Sequence, residues 1–302
     1  MKQFLATTMI LFSLFLQAGE KPAYSTGEIH TIPSDILGEQ RSFSVQLPAE
    51  YHRGDAHYPV FYLLDGEVNF PHVTANLTYL SRGSLIPQMI VVAIHNTNRT
   101  RDMTPQPKFP GEIGLPPEDM GGLDAFNNFM EKELFPYVEK TWRTEPFRVL
   151  SGHSLGGLVT LHTLFNREDL FDAYIAVSPS MPWDKGILVK QAEAWLQRKP
   201  GKRKWLYTTM GEEDPIMVKL FGDLNNTLTI HQRKDFLWSA HNLKGEDHDS
   251  GVPLGNLQAI RWLFEGWRPA QNDLMAMDYK TLETYYANNS RKYGFPVRIP
   301  YW

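Results

Sequence analysis

The chain has 302 residues, 42% hydrophobic and 21% charged, a composition typical of a globular protein large enough for one sizeable α/β domain. Its formal net charge of −4 gives no electrostatic support for nucleic acid or an anionic membrane as a partner. It contains no cysteine, which excludes disulfide bonds, a thiolate nucleophile, cysteine-ligated zinc and a lipidated-cysteine anchor.

The N-terminus combines a basic start, Met1-Lys2-Gln3, with an apolar run from Phe4 to Leu16. This run has the length of a secretory signal sequence and is too short to span a bilayer comfortably. We therefore expect residues 1–19 to be a signal peptide, cleaved near Ala18 or Gly19, and the mature protein to be periplasmic or secreted. A buried N-terminal helix is the alternative.

The rest of the chain alternates between strand and helix patterns. Two segments with polar and apolar residues in alternation predict antiparallel strands, and continuous apolar runs predict strands buried on both faces. The predicted strands are Glu28–Pro33, Arg41–Leu47, Tyr58–Leu64, Met89–Ile94, the run before Gly152, Phe171–Val177, Lys204–Met210 and Phe236–Ala240. The predicted helices are Phe70–Tyr79, Phe126–Trp142, the segment after Gly156, Ile187–Leu196, Ile216–Leu228 and Leu254–Trp267.

This alternation predicts an α/β fold, a doubly wound and mostly parallel sheet flanked by helices on both faces. We expect one domain over residues 20–268. Residues 269–302 are expected to form a helical and extended tail packed on its outside.

A G-x-S-x-G pentapeptide, Gly152 to Gly156, joins a strand pattern to a helix pattern. Strand, sharp turn and helix in this order form a nucleophile elbow. The turn strains the serine backbone, and the residues two before and two after the serine come so close that glycine is needed at both. The pattern predicts Ser154 as a nucleophile, and a glycine-rich turn with a structural serine is the alternative.

An elbow serine needs a base and usually a carboxylate, which follow it in the order serine, acid, histidine. His248 lies in a glycine- and acid-rich loop before the last core helix, and we predict it as the base. The run Gly211-Glu212-Glu213-Asp214 directly follows a buried strand. We predict Asp214 as the acid; Glu213, or a serine–histidine dyad without an acid, are the alternatives.

The adjacent residues Glu246, Asp247, His248 and Asp249 also suggest metal ligands. That interpretation lacks a second cluster at ligand spacing, and adjacent side chains cannot all converge on one ion. We therefore expect neither a metal nor an organic cofactor.

An oxyanion hole needs two backbone amides. Leu155, directly after the nucleophile, is expected to supply one. Gly66 or Glu67, after the strand Tyr58–Leu64, is expected to supply the other.

Candidate substrate contacts lie in two loops. Arg99 and Arg101 belong to a long Pro-rich loop and could bind an anionic or polyhydroxylated substrate, or pair with Asp102 to hold the loop. Met181 and Trp183 follow a strand end on the side of Ser154, where they could line an acyl or aryl pocket or serve as packing.

Together these motifs resemble the putative esterase family of α/β-hydrolases, and within it the branch of the siderophore esterases. The resemblance rests on Tyr58–Gly66, Asn96–Pro105, Gly152–Gly157, Ser178-Pro179-Ser180 and the His248 loop with Val252-Pro253. It implies an α/β-hydrolase fold and ester hydrolysis through an acyl-enzyme, with catalytic roles for Ser154 and His248 and an acid role for Asp214. The loop from His248 to Pro253 departs from the family pattern by one additional residue before Val-Pro.

We therefore expect a serine carboxylic ester hydrolase acting on a small-molecule ester, with no nucleic acid or membrane partner. A siderophore trilactone is the more specific substrate hypothesis and a small acyl or aryl ester the more general one. An acyltransferase and a non-catalytic ligand-binding relative are the remaining alternatives.

Overall fold

The computed structural model describes residues 26–112 and 114–299, so the expected signal peptide lies outside the described residues. The strands are β1 Glu28–Ser34, β2 Glu39–Gln46, β3 Tyr58–Leu63, β4 Ile90–Ile94, β5 Thr144–His153, β6 Ala173–Val177, β7 Lys204–Met210 and β8 Phe236–Asn242. The helices are α1 Gly66–Arg82, α2 Arg99–Asp102, α3 Leu123–Phe129, α4 Phe135–Thr141, α5 Leu155–Asn166, α6 Trp183–Leu196, α7 Pro215–Ile230, α8 Gly251–Leu263, α9 Gln271–Ala276 and α10 Tyr279–Tyr293. Short 3₁₀ turns occupy Tyr51–Arg53, Pro110–Glu112 and Pro117–Asp119.

The strands form one 8-stranded sheet in the order β1-β2-β4-β3-β5-β6-β7-β8. β2 pairs antiparallel with both β1 and β4, and the other neighbouring strands are parallel. This confirms the predicted doubly wound, mostly parallel sheet. The chain proceeds from β3 toward one edge and from β5 toward the other, so a crevice opens at the carboxyl ends of these two strands.

Both faces of the sheet are covered, which explains the continuous apolar strands. Every residue of β3 is buried. Tyr62 points into a core that includes side chains of α3 to α7. Its neighbours Phe61 and Leu63 point into a second core, which includes side chains of α1, α8 and the C-terminal segment. Within the described residues, no helix is both long and apolar enough to cross a bilayer.

The predicted helix over Phe126–Trp142 is interrupted in the structure. A π-helical turn, Met130–Leu134, separates α3 from α4. Pro136 follows directly, near the start of α4. Proline lacks the N–H that an α-helix interior requires, so the wider turn before it accommodates the ring without ending the helix.

The C-terminal segment packs aromatic side chains on the amino-terminal part of β5 and β7. The Tyr293 ring lies 5.7 Å from the ring of Phe147 and 5.8 Å from that of Trp205, measured between centroids. Phe295 lies 5.8 Å from Phe147. Because Ser154 follows the carboxyl end of β5, this segment lies at the opposite end of the sheet from the elbow.

The aromatic cluster predicts that Tyr293→Ala lowers stability without changing the site. The side chain is buried, and its hydroxyl donates to the Leu263 carbonyl at 2.9 Å. We expect the free energy of unfolding to fall by about 3–5 kcal/mol, as for other large aromatic-to-alanine changes in cores. Urea unfolding measures this.

Tyr79→Ala is the matched control, because the Tyr79 side chain is exposed. We expect it to change the free energy of unfolding by less than about 0.5 kcal/mol. Similar losses in both variants would show that the C-terminal segment does not stabilise the sheet.

Candidate active site

Ser154 occupies a strained turn between β5 and α5, with φ 59° and ψ −117°. A Cβ at Gly152 would lie 2.2 Å from the Gly156 carbonyl oxygen, and a Cβ at Gly157 would lie 2.7 Å from Pro179 Cα. Neither position tolerates a side chain. A Cβ at Gly156 would lie 3.3 Å from Asp65 Oδ2, a tight contact that is less severe than the clash at Gly152.

The predicted base pairs with a buried carboxylate. His248, in the loop between β8 and α8, places Nδ1 2.7 Å from Glu213 Oε2. The Glu213 side chain is 5% exposed, and its other oxygen accepts from the Gly211 amide at 3.1 Å. Because an ionised carboxylate only accepts, Nδ1 carries the proton and Nε2 is left to take one from a substrate or nucleophile.

The structure corrects the position of the acid. Asp214 does not reach the imidazole; it caps α7 and accepts from the Ile216 amide at 2.8 Å. Aspartate before proline at a helix start is a favoured capping arrangement, and here the Asp214 carboxylate binds an α7 amide rather than His248. Glu213, the alternative weighed from the sequence, occupies the place expected of Asp214.

Hydrogen bonds hold the loop that carries Glu213 against the loop that carries His248. The Glu212 amide donates to the Glu246 carbonyl at 2.7 Å, and the Gly245 amide donates to Glu212 Oε1 at 3.2 Å. A Cβ at Gly211 would lie 2.7 Å from the Glu246 carbonyl oxygen. This close approach fixes the position of the Glu213 carboxylate relative to the His248 imidazole.

The acidic residues around His248 build a turn. Asp247 Oδ1 accepts from the amides of Asp249 and Ser250 at 3.1 and 2.8 Å. Hydrogen bonds from Ser250 lower the pKa of the Asp247 carboxyl. In the part of the chain that the structure describes, no three His, Asp or Glu side chains are grouped to hold a metal ion.

His153 donates a hydrogen bond to the backbone of His248. Its Nε2 lies 2.8 Å from the His248 carbonyl oxygen, and the two rings are 4.6 Å apart between centroids. Burial and the neighbouring His248 lower the pKa of His153, which keeps the ring neutral and Nε2 able to donate. No sequence pattern marked this contact.

Ser154 and His248 open onto the same cleft, of about 440 Å³. The residues lining it are Ser154, Ser180, Glu212, Glu213, Asp214, Met217, Asp247 and His248. Ser180 and Met217 were not predicted as site residues. Ser180 follows β6, and Met217 lies in the first turn of α7, soon after β7. Because the carboxyl ends of parallel strands meet at one edge of the sheet, these positions could have indicated that both residues lie near the site.

The three predicted oxyanion residues lie at helix starts. Leu155 begins α5, and Gly66 and Glu67 begin α1, where the first amides have no partner within the helix. A Cβ at Gly66 would lie 2.6 Å from the Ala93 carbonyl carbon, so glycine permits the close packing of this loop on β4. The Glu67 carboxylate accepts from the Asn96 amide at 3.2 Å.

Arg99 joins the loop after β3 to the elbow. Its guanidinium donates to both oxygens of Asp65, at 2.6 and 2.9 Å, and to the His153 carbonyl at 3.4 Å. Asp65 is 6% exposed and also accepts from Asn96 Nδ2 at 2.8 Å. The hydrogen bonds to Asp65 raise the pKa of the Arg99 guanidinium. Arg99 therefore holds structure rather than facing the cleft.

Arg101 belongs to a second set of ion pairs beneath the same loop. It donates to Asp102 at 2.7 Å and to Glu39 at 2.9 Å. The buried Arg41 donates to the other Asp102 oxygen at 2.6 Å and to Thr97 Oγ1 at 2.9 Å. Arg101 thus makes the predicted pair with Asp102, whereas Arg99 pairs with Asp65 instead.

The predicted acyl or aryl pocket is not formed by Met181 and Trp183. Met181 is fully buried in the core. Trp183 is partly buried, packs on the same core and does not line the cleft. The turn after β6 directs both side chains inward, leaving Met217 as the apolar side chain of the cleft.

Comparison with known proteins identifies the family. A family model described as putative esterase matches residues 34–253. The chain belongs to the putative esterase family. Ferri-bacillibactin esterase BesA of Bacillus subtilis is 35% identical over 228 residues, which are 68% of this chain and 79% of the relative.

Solved structures agree with this assignment. An IroE-like serine hydrolase from Shewanella oneidensis superimposes with a TM-score of 0.82 and 31% identity, over 90% of this chain and 89% of the other. Siderophore hydrolase EstB from Aspergillus nidulans gives a TM-score of 0.69 and 25% identity, over 83% and 98%. The predicted α/β-hydrolase fold and esterase activity are confirmed.

The acid position predicts different effects for two neighbouring substitutions. Glu213→Gln removes the charge against His248, and we expect the esterase kcat to fall about 10²- to 10⁴-fold. Asp214→Asn is the matched control, because asparagine also caps a helix. We expect its kcat to stay within about twofold of the wild type. Steady-state hydrolysis of an aryl ester measures both.

A greater loss in Asp214→Asn than in Glu213→Gln would contradict the structural placement. An unchanged kcat in both variants would indicate a serine–histidine dyad.

The Arg99–Asp65 pair predicts an effect on kcat rather than on KM. Lysine cannot make the paired hydrogen bonds of arginine, so Arg99→Lys is expected to lower kcat about tenfold or more. Stability should fall by about 1–3 kcal/mol, as for a lost hydrogen bond to a charged group. A raised KM with unchanged kcat and stability would instead indicate that Arg99 contacts substrate.

Proposed function

We propose that this esterase cleaves a siderophore ester through an acyl-enzyme, with Ser154 as nucleophile, His248 as base and Glu213 as the acid that orients the base. One observation carries the proposal. The strained Ser154 and the hydrogen-bonded pair of Glu213 and His248 line one cleft, at the carboxyl ends of the parallel strands.

Acylation begins with proton transfer from Ser154 Oγ to His248 Nε2. The oxygen attacks the ester carbonyl carbon, and the carbonyl electrons move to an oxyanion that accepts from the amides of Leu155 and of Gly66 or Glu67. When the intermediate collapses, the bond to the leaving alkoxide breaks, and His248 returns the proton to that oxygen.

Deacylation repeats these steps with water. Water attacks the acyl carbon while its proton passes to His248, the bond to Ser154 breaks, and His248 protonates the serine oxygen. Glu213 stabilises the imidazolium in both halves of the reaction and keeps Nδ1 protonated, without itself accepting the proton.

The siderophore substrate class is supported by the relatives, among them a ferri-bacillibactin esterase and a siderophore hydrolase. We further propose that the enzyme is periplasmic or secreted, on the basis of the N-terminal sequence from Met1 to Gly19.

Covalent labelling and a paired substrate assay test the proposed function. A fluorophosphonate should form a single adduct on Ser154, detected by peptide mapping, and the adduct should be lost in His248→Ala. Purified protein should hydrolyse a metal-free catecholate trilactone with a higher kcat/KM than p-nitrophenyl acetate.

Ser154→Ala should abolish both activities, with a loss of about 10⁴-fold or more. Activity near the wild-type level in this variant would rule out the acyl-enzyme mechanism. Cleavage of the aryl ester alone would retain the mechanism and reject the siderophore substrate.

A further inference from the structure

Ser180 is held against the nucleophile by its backbone. Its amide donates to the Ser154 carbonyl at 2.9 Å, and its Oγ lies 3.4 Å from Ser154 Oγ. The turn that leads to it is strained at Ser178, which is buried at φ 42° and donates its amide to the Thr209 carbonyl at 2.8 Å. Met181, the next residue, is fixed in the core. The position of Ser180 is therefore set independently of its hydroxyl.

The order of the strands determines which side of the nucleophile Ser180 occupies. β6 lies between β5 and β7, so Ser180 stands on the side of Ser154 that carries Glu213 and His248. Gly66 follows β3, on the other side of β5. The Ser180 hydroxyl is thus on the side of the base, away from the amide of Gly66.

The Ser180 hydroxyl is available to a reacting molecule. A separation of 3.4 Å is long for an O–H···O hydrogen bond, which is about 2.7–2.8 Å at its best. Among the described residues, the hydroxyl has no other hydrogen-bond partner. It is half-buried and lines the cleft together with Ser154 and His248.

We propose that Ser180 is a further catalytic residue, whose hydroxyl oxygen accepts a hydrogen bond from the water that cleaves the acyl-enzyme. This rests on the proposed acyl-enzyme. One water proton points to Ser180 Oγ while the other passes to His248 Nε2, which directs the water oxygen at the acyl carbon. The new C–O bond forms first, the bond to Ser154 then breaks, and His248 returns the proton to the serine. Ser180 keeps its own proton.

The role predicts that Ser180→Ala slows deacylation more than acylation. With p-nitrophenyl acetate, whose leaving group needs little assistance, we expect the rate of the nitrophenolate burst to stay within about threefold of wild type. The later steady-state rate should fall about ten- to hundredfold, the effect of losing one group that positions a reacting proton. Acetylated enzyme should accumulate, detected by intact mass after acid quench.

Three comparisons make the result specific. Ser180→Thr keeps the hydroxyl and should recover most of the deacylation rate. Ser81→Ala, on the distant part of α1, should leave both phases unchanged. The rate of fluorophosphonate labelling in Ser180→Ala should match the wild type, since phosphonylation involves no attacking water.

Equal slowing of the burst, the steady state and the labelling would overturn the proposal, because Ser180 would then only support the turn. Unchanged steady-state turnover in Ser180→Ala would overturn it as well. Absence of labelling in the wild type would instead overturn the acyl-enzyme, and with it the role of Ser180.

Discussion

The crowded backbone at the end of β5 is the constraint on which the site depends. Ser154 can hold a positive φ because the chain on both sides of it is packed without side chains, at Gly152 against the first turn of α5 and at Gly157 against Pro179. The same contact at Pro179 brings the turn after β6 against the elbow. The glycines therefore determine both the exposure of Ser154 and the approach of its neighbour Ser180.

Paired charges hold the loops that surround this turn. Asp65 and Asp102 are both nearly inaccessible to water, and each is matched by arginine through short hydrogen bonds. An unpaired carboxylate at either position would be costly, so the Pro-rich loop is ordered by the need to satisfy these charges. Burial acts differently on His153, which among the described residues has no opposite charge paired with it in the same way. Its burial lowers its pKa and favours the neutral ring beside His248, where a second cation would oppose the imidazolium of the proposed proton transfer.

The fold could be predicted because strands buried on both faces are continuous runs of apolar residues, and the strained turn at Ser154 because the elbow has a steric signature. The carboxylate that contacts His248 could not be assigned as reliably, since Glu213 and Asp214 are adjacent and the choice depends on which side chain caps α7. The aspartate–proline pair was a usable signal for that cap. Met181 was misplaced for a related reason. The direction of a side chain after a strand depends on the turn, here on the positive φ of Ser178.

The order of the strands in the sheet also determines where each group of the proposed reaction lies. The loop after β3 carries Gly66 and Glu67, the turn after β5 carries Ser154 and the turn after β6 carries Ser180. The loops after β7 and β8 carry Glu213 and His248, the proposed acid and base. A carbonyl bound above Ser154 would thus have its oxygen directed toward β3 and its leaving group toward β7. Because β5 and β6 lie between these two sides, the attacking water of the proposed mechanism would approach from the side on which the alcohol leaves. Both then meet the same imidazole, and a single histidine, oriented by Glu213, can serve both halves of the reaction.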